Sequence, residues 1–471
     1  MLFPTLPFLL FFAIVLLGHR SLPRPARPGW LLAASLFFYF LWIPAYLLLL
    51  IADIGINYLF LRLMIGQRAR THQKNRFWLV VSVVFTLGLL AGFKYAAFLL
   101  GVVAPFSTIL AGPELPVPDL LLPLGISFYS FQLIALHVDV YRGTTEPPRG
   151  LAQYALFVCF FPQLIAGPIL RGRELLPQIS IGGSPSRDRN RRGLWLIGSG
   201  LLKKVVLGDF LLAPLVNEVY GNPGVSSASM HLIAAYYFSF QIYFDFSGYT
   251  DMARGIGLLL GFEFPKNFRE PYLSRNPGEF WERWHITLSQ WLRDYLYIPL
   301  GGSRHGASRT SRNLLTTMLL GGLWHGAGWN FLIWGGLHGL LLILHRPFRN
   351  PEHHNGPLRA KDVVSILLCF HAVTFLWIFF RAPDPGSALT FIQALLFGNW
   401  TAAPALWPLL VLTGCVLFQI AERLLRKRLT ETQQQLGSSR GIVLEGMVLG
   451  AVFMLAIACS GRGGEFIYFQ F

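Results

Sequence analysis

The stretch GGLWHGAGWNFLIWGGLHG, residues 321–339, places His325 and His338 among glycines, tryptophans and aliphatic residues. Of the 471 residues, 54% are hydrophobic and 13% are charged, whereas an average soluble domain carries about 25% charged residues. Apolar runs recur along the chain, and we expect an all-α, polytopic transmembrane helical bundle with about 10–12 spans plus re-entrant or amphipathic helices. The clearest runs are residues 77–93, 151–170, 194–216, 313–333, 363–380, 406–425 and 442–459.

The basic residues indicate an orientation in the membrane rather than nucleic-acid binding. The net charge is +16, but the arginines and lysines fall in short loops between apolar runs, which is typical of loops that stay in the cytoplasm. We expect the N-terminus outside and a retained first span at residues 2–18, because no small-residue cleavage site follows it. The basic loops include Arg20, Arg24 and Arg27, then Arg68, Arg70, Lys74 and Arg76, and later Arg423, Arg426, Lys427 and Arg428.

The organisation along the chain predicts a single membrane-embedded domain, residues 1–471, with three zones. Residues 1–120 are hydrophobic hairpins that we expect to serve as scaffold. Residues 121–345 form the predicted catalytic core, since polar side chains, prolines and glycines interrupt its apolar sequence. Residues 346–471 return to plain spans with basic loops.

Two features of the predicted core carry charge into apolar surroundings. Asp245 lies among aromatic residues, and a carboxylate inside a membrane needs a partner or water. A structural pair with an arginine such as Arg254 and a direct role at the site both remain open. Residues 267–306 are too charged to span lipid but carry a wide apolar stripe, so we expect amphipathic or re-entrant helices.

Three histidines of the predicted core are candidates for a functional role. A neutral imidazole can accept a proton, and desolvation favours the neutral form, so His325 is a candidate general base. A tight helix crossing that uses histidine as an interhelical donor is the structural alternative. His325 and His338 would point in directions roughly 220° apart in one continuous helix, which argues against joint action. His285, flanked by aromatic residues, is a packing residue or a second functional histidine.

Metal and redox chemistry have little support in the sequence. Histidine, cysteine and carboxylate residues do not recur at zinc-ligand spacing, so we expect no metal site. The four cysteines stand singly in apolar runs, which indicates buried packing residues. They are Cys159, Cys369, Cys415 and Cys459.

Two blocks resemble the signature sequences of the membrane-bound O-acyltransferase family. They are FWERWHITLSQWLRDYLYIPLGG and GGLWHGAGWNFLIWGGLHG, and similarity to the bacterial branch that O-acetylates alginate and other exopolysaccharides extends along nearly the whole chain. Further similar segments are MLFPT, LPLGISFYSFQ, FFPQLIAGPI, FLWIFFRA and the terminal FIYFQF. Glu282 departs from the pattern, since relatives carry a basic residue there.

The resemblance implies roles for individual residues. His325 corresponds to the family's catalytic histidine, and His285 to its second active-site residue, in a tunnel through the helical bundle. His325 would deprotonate the attacking hydroxyl, and His285 would orient the thioester or donate to the developing oxyanion. The expected substrate-binding residues are Trp324, Trp284 and Trp329 as walls, with His338 and Asp245.

The donor implied by the resemblance is cytosolic acetyl-CoA, a substrate rather than a tightly bound cofactor. Arginines at the cytoplasmic rim would attract its phosphates, although arginines at a lipid headgroup surface would look the same. The arginines considered are Arg275, Arg283, Arg293 and Arg304.

The acceptor implied by the resemblance is an exopolysaccharide such as alginate or cellulose outside a bacterial inner membrane. A separate periplasmic esterase-like (SGNH) acetyltransferase would be the protein partner. A passive acyl-group or lipid transporter and a non-catalytic anchor subunit of a polysaccharide synthase are the alternatives. Transporters with inverted repeats show symmetry between halves, which is not visible here.

Overall fold

Helices form the regular structure of the chain, as the apolar runs predict. The computed structural model describes residues 3–71, 76–109, 121–224, 226–348, 359–360, 362–400, 405–432 and 439–460. No strand occurs within these ranges, so the all-α prediction is confirmed. Residues 1–2, Lys74 and residues 466–471 lie outside the described residues, as do the side chains of Arg68, Arg70, Arg426, Lys427 and Arg428.

Helices α1 to α10 precede the first π-helical segment. They are α1 (Leu6–Ser21), α2 (Arg27–Phe40), α3 (Pro44–Thr71), α4 (Phe77–Lys94), α5 (Ala96–Ile109), α6 (Ile126–Arg142), α7 (Leu151–Cys159), α8 (Phe161–Leu164), α9 (Gly172–Ser180) and α10 (Arg187–Leu201). A π-helical segment, Leu202–Leu212, follows α10 without a break. Short 3₁₀ turns lie at Arg24–Ala26, Pro271–Leu273 and Arg346–Phe348.

Helices α11 to α20 complete the fold. They are α11 (Ala213–Gly221), α12 (Ala228–Leu259), α13 (Pro277–Arg283), α14 (Ile286–Leu292), α15 (Gly306–His325), α16 (Trp329–His345), α17 (Asp362–Arg381), α18 (Pro385–Phe397), α19 (Leu406–Thr432) and α20 (Ser439–Cys459). A second π-helical segment, Arg293–Tyr297, follows α14. The short helices α13 and α14 lie where the sequence predicts amphipathic or re-entrant segments.

The chain divides into two compact units. The first comprises Met1–Ile197 and Met252–Pro265, and the second comprises Gly198–Asp251 and Lys266–Phe471. Every residue expected at the catalytic site belongs to the second unit. The division of the chain into one domain with three zones stays a prediction.

Five of the described helices are long and apolar enough to cross a membrane. They are Pro44–Gln67, Phe77–Lys94, Trp329–Phe348, Asp362–Arg381 and Leu406–Leu424. Shorter apolar helices occupy Leu6–Ser21, Pro385–Phe397 and Glu445–Cys459. Several predicted runs are therefore recovered, while the count of about 10–12 spans stays a prediction.

Three of the predicted apolar runs are not single helices. Residues 151–170 are split between α7 and α8 and are almost wholly buried, with Pro162 near the break. Residues 194–216 pass through α10, the π-helical segment and α11. Residues 313–333 are divided between α15 and α16. Simple spans were the wrong prediction here, because length and apolarity do not reveal proline breaks or π geometry.

A buried chain of polar side chains crosses the first unit. Ser82 Oγ lies 2.6 Å from His137 Nδ1, and His137 Nε2 lies 2.9 Å from the Tyr154 hydroxyl. Ser82 also donates to Asn57 Oδ1 at 3.0 Å, and Asn57 Nδ2 donates to Asp53 Oδ1 at 2.8 Å. Buried polar groups must be hydrogen-bonded, and these bonds join α3, α4, α6 and α7. The scaffold hairpins are thus more polar inside than their sequence indicates.

The glycines of residues 321–339 permit a close helical hairpin in the second unit. A Cβ added to Gly322 would lie 2.1 Å from the carbonyl oxygen of Phe331, and one added to Gly335 would lie 2.3 Å from that of Met318. Only hydrogen in place of a side chain allows the two backbones to approach this closely. The tight helix crossing that the sequence left open as an alternative is therefore present between α15 and α16.

Candidate active site

His325 lies at the point where the hairpin turns. It is the last residue of α15, and α16 begins at Trp329 after three non-helical residues. The side chain is 4% exposed. Ring centroids of Trp324, Trp334 and Phe380 lie 5.0, 5.1 and 5.3 Å from that of His325. The imidazole is thus held among aromatic rings at a break between two helices.

His285 occupies the turn between α13 and α14 in an uncommon conformation. Its φ of 40° lies in the left-handed region, which costs energy for a residue with a side chain. Asn267 holds the turn, because its backbone oxygen accepts from Ile286 N at 2.9 Å and its Oδ1 accepts from Thr287 N at 3.1 Å. Such strain is typical of positions that place a functional side chain.

The two predicted catalytic histidines share one aromatic neighbour. The Trp324 ring lies 6.1 Å from His285 and 5.0 Å from His325, centroid to centroid. The Phe246 ring packs edge-on against His285 at 4.7 Å. The structure therefore brings His285 and His325 into one cluster of the second unit.

Asn267 also contacts the His285 ring. Its Oδ1 lies 3.2 Å from His285 Nδ1 and accepts from Thr287 Oγ1 at 2.8 Å. Burial lowers the pKa of His285 to about 3, so the ring is neutral near pH 7. The sequence alone gave no signal for Asn267, because the contact depends on how the loop before α13 folds back.

His338 joins the same cluster, contrary to the sequence argument. The continuous helix assumed for His325 and His338 is wrong, because the chain breaks between α15 and α16. The Trp334 ring lies 5.1 Å from His325 and 4.7 Å from His338. The His338 ring also meets Trp281 at 5.0 Å and is 1% exposed.

The three tryptophans expected as walls lie in different environments. Trp324 is 4% exposed and Trp284 is 1% exposed. Trp284 packs against Trp377, with ring centroids 5.0 Å apart. Trp329 is 55% exposed at the first position of α16. Burial thus agrees with a wall position for Trp324 and Trp284 and disagrees with it for Trp329.

Two of the arginines expected at an exposed rim are buried instead. Arg275 Nε lies 3.0 Å from Glu279 Oε2, and Arg283 Nη2 lies 2.5 Å from Glu279 Oε1. Their side chains are 7% and 4% exposed. The rim position is therefore wrong for both, because a buried carboxylate that sequence reasoning overlooked draws them inward. Arg293, whose side chain is 59% exposed, bonds Asp294 at 2.7 Å.

Asp245 has a lysine partner. It forms an ion pair with Lys204, which also binds Asp209 at 2.8 Å. The Asp245 and Lys204 side chains are 1% and 3% exposed. This pair supports the structural reading of Asp245 with lysine in place of arginine.

Lys203 forms a second ion-pair group beside the first. It binds Asp251 at 3.1 Å and also pairs with Glu422. Both lysines lie in the π-helical segment, a geometry that is frequent at functional sites. The sequence did hold a signal for these buried ion pairs, namely two adjacent lysines in the apolar run at residues 194–216. Charges in such a run are costly unless they are paired.

The described residues hold no cluster of three or more histidine, cysteine, aspartate or glutamate side chains arranged to bind a metal. The four cysteines are buried and unbonded to one another.

Comparison with known proteins agrees with the signature blocks. The model of the family described as "MBOAT, membrane-bound O-acyltransferase family" matches residues 148–380, which include both histidines. The probable alginate O-acetylase AlgI of Azotobacter vinelandii is 41% identical over 405 residues, covering 85% of this chain and 79% of the relative.

Two further relatives have names that specify other acyl acceptors. The peptidoglycan O-acetyltransferase of Helicobacter pylori is 38% identical over 405 residues, covering 78% of this chain and 73% of the relative. The teichoic acid D-alanyltransferase of Bacillus subtilis is 28% identical over 285 residues, covering 56% of this chain and 69% of the relative. The Azotobacter and Helicobacter relatives are 41% and 38% identical to the chain over 85% and 78% of its length. The chain is therefore a multi-pass membrane O-acyltransferase and belongs to the membrane-bound O-acyltransferase family.

Proposed function

We propose that this O-acyltransferase takes acetyl groups from cytosolic acetyl-CoA and moves them across a bacterial inner membrane for O-acetylation of an exopolysaccharide, with His325 as the general base. Family membership already favours an enzyme over a passive transporter or an anchor subunit. The proposal adds the donor, the direction of transfer and the residue that moves the proton.

The observation that carries the proposal is the setting of His325. The imidazole is 4% exposed, lies at a helix break and is surrounded by Trp324, Trp334 and Phe380. Removal of water strengthens electrostatic interactions inside a site and protects a reactive thioester from hydrolysis. A basic nitrogen in such a setting suits proton transfer during acyl transfer.

The proposed step begins with the hydroxyl of the acyl acceptor. His325 takes the hydroxyl proton as the oxygen attacks the thioester carbonyl carbon. The new C–O bond forms, the C–S bond breaks, and the coenzyme thiolate leaves with the proton returned by the imidazolium. A positioned general base contributes typically 10²–10⁴-fold, which corresponds to about 3–5 kcal/mol of barrier.

Arg293 and Arg304 are the candidate arginines that suit the donor's phosphates. Both are exposed, while Arg275 and Arg283 are engaged by Glu279. Arginine binds phosphate through charge-assisted hydrogen bonds, and an exposed guanidinium can reach a soluble coenzyme. In the proposed scheme Trp324 and Trp284 wall the acyl passage, with His338 deeper in the cluster.

The acceptor in this proposal is a polysaccharide of the cell envelope or a secreted one, reached through a periplasmic esterase-like acetyltransferase. Two of the relatives carry names that specify alginate and peptidoglycan as their substrates. No choice between alginate, cellulose and other glycans is part of the proposal.

The experiment is a transfer assay with the purified protein and radiolabelled acetyl-CoA. His325→Ala is expected to lower the rate of acetyl transfer by at least about 10²-fold, since the base is lost. The matched control is His371→Gln, which alters an exposed histidine on α17 that bonds the Tyr236 hydroxyl at 2.8 Å. Full activity of folded His325→Ala would refute the assignment of the base.

A further inference from the structure

Acyl transfer requires a hydrogen-bond donor for the negative charge that develops on the thioester oxygen. His285 was the candidate from the sequence, and its contact with Asn267 decides whether it can donate. The backbone N–H of Thr287 can only donate, so the side-chain atom of Asn267 that faces it at 3.1 Å must be the oxygen. That oxygen also faces His285 Nδ1 at 3.2 Å, so Nδ1 carries the hydrogen and donates.

The consequence for His285 follows from the chemistry of neutral imidazole. A neutral ring carries one hydrogen, and with Nδ1 protonated its Nε2 is an acceptor. Burial keeps the ring neutral, because it lowers the pKa of His285 to about 3. His285 in this form cannot donate through Nε2 to an oxyanion. A donor for the oxyanion then comes from another group near His325.

Trp334 carries a donor group beside His325. Its indole N–H can only donate, its side chain is 1% exposed, and Nε1 has no hydrogen-bond partner within the described part of the chain. Its ring packs edge-to-face on His325 with centroids 5.1 Å apart. A buried donor without an acceptor is costly in a folded protein, and a role at a reactive site is one of the few explanations for it.

Two of the rings packed on Trp334, those of Trp377 and Phe380, carry no acceptor oxygen. Trp377 stacks on it at 5.6 Å and Phe380 meets it at 5.2 Å. Trp281 has a similarly buried Nε1 without a partner among the described residues, but its ring contacts Phe280, Trp334 and His338. Of these two indoles, the one packed against His325 is that of Trp334.

We propose that Trp334 is a catalytic residue whose indole N–H donates to the thioester carbonyl oxygen while His325 removes the proton from the acceptor hydroxyl. This inference rests on the proposed function of His325. The N–H bond of Trp334 stays intact throughout. Its hydrogen bond strengthens as the carbonyl oxygen gains charge in the tetrahedral state and weakens when the C–S bond breaks.

The test replaces Trp334 by benzothienylalanine, in which sulfur takes the place of the indole N–H and the ring keeps its size. We expect kcat for acetyl transfer to fall by about 10²–10³-fold, the usual effect of losing one oxyanion donor, with KM for acetyl-CoA nearly unchanged. Trp334→Phe serves as the genetically encoded second variant, with elution from size-exclusion chromatography as the check on folding.

The matched control is the same replacement at Trp281, which removes a buried indole N–H that does not adjoin His325. We expect kcat of this variant to stay within about threefold of the wild type, because it loses no oxyanion donor. Unchanged kcat in the folded Trp334 variant, or an equal loss of kcat at Trp281, would overturn the inference.

The His325→Ala assay distinguishes a wrong role for Trp334 from a wrong proposed function. If His325→Ala is inactive and the Trp334 replacement is fully active, only the role of Trp334 is withdrawn. If His325→Ala is fully active, the proposed base is withdrawn as well, whatever the Trp334 variant does.

Discussion

At the scale of single residues, Asn267 determines what His285 can do. One side-chain oxygen accepts from Thr287 N, Thr287 Oγ1 and His285 Nδ1. The same residue supports the left-handed turn at His285 through its backbone oxygen. Asn267 therefore both supports the strained backbone at His285 and orients the His285 ring.

Asn267→Asp gives a pH-dependent prediction. Aspartate keeps an oxygen for Thr287 and His285 but adds a negative charge, which raises the pKa of His285 by roughly 1–3 units. A positive charge on His285 disfavours formation of the imidazolium at His325 in the same cluster, so activity should fall as pH drops through this raised pKa. We expect the acid limb of the kcat/KM profile to shift upward by a similar amount.

The control for this variant is Thr287→Ser, which keeps both hydrogen bonds from residue 287 to Asn267 and introduces no charge. Its acid limb should coincide with that of the wild type. An Asn267→Asp profile that overlays the wild-type profile, with the protein folded, would mean that Asn267 does not govern the charge state of His285.

At the scale of secondary-structure elements, the hairpin of α15 and α16 positions His325. The helices cross where Gly322 and Gly335 face backbone atoms of the other helix. The turn between them ends α15 at His325 and brings Trp334 and His338 to the same cluster. The break between the helices therefore determines which side chains surround His325.

Gly335→Ala tests the close crossing. The new methyl group would lie 2.3 Å from the Met318 carbonyl oxygen, a rigid backbone atom. Overpacking of this kind costs about 1–3 kcal/mol, so the thermal midpoint in detergent should fall.

The neighbouring glycine provides the control for the crossing. A methyl group at Gly336 meets the flexible end of Leu319 at 3.3 Å, and alanine is favoured over glycine within a helix. Gly336→Ala should leave the thermal midpoint unchanged or raise it. Equal midpoints for the two variants would contradict the packing described for α15 and α16.

At the scale of the whole molecule, composition and the two signature blocks are sufficient to predict the fold class and the enzyme family, and they select His285 and His325, which the fold places on either side of Trp324. The glycines at positions 322 and 335 also indicate a close crossing of two helices. Asn267 could not be found this way, because it lies 18 residues from His285 and contacts it only through the folded turn. Glu279 was overlooked for a different reason: it has i,i+4 spacing to both Arg275 and Arg283, but those arginines drew attention as phosphate ligands.

Charge inside the bundle was the second feature that the sequence concealed. Lys204 and Asp245 pair across separate helical segments, and each looks unfavourable alone in an apolar run. Spacing along the chain does not specify which buried charges meet. Likewise, the apolar runs at residues 151–170 and 313–333 look like spans, because a helix break leaves the composition unchanged.

Acetyl transfer through His325 of this membrane-embedded chain can be tested by following the acetyl label across a bilayer. Purified protein would be reconstituted in liposomes with radiolabelled acetyl-CoA outside and, inside, a periplasmic-type acetyltransferase with alginate or peptidoglycan oligosaccharides. We expect labelled oligosaccharide in the lumen with the wild-type protein and none with His325→Ala. Equal labelling by both proteins, or none by the wild type with either acceptor, would refute acetyl transfer through His325.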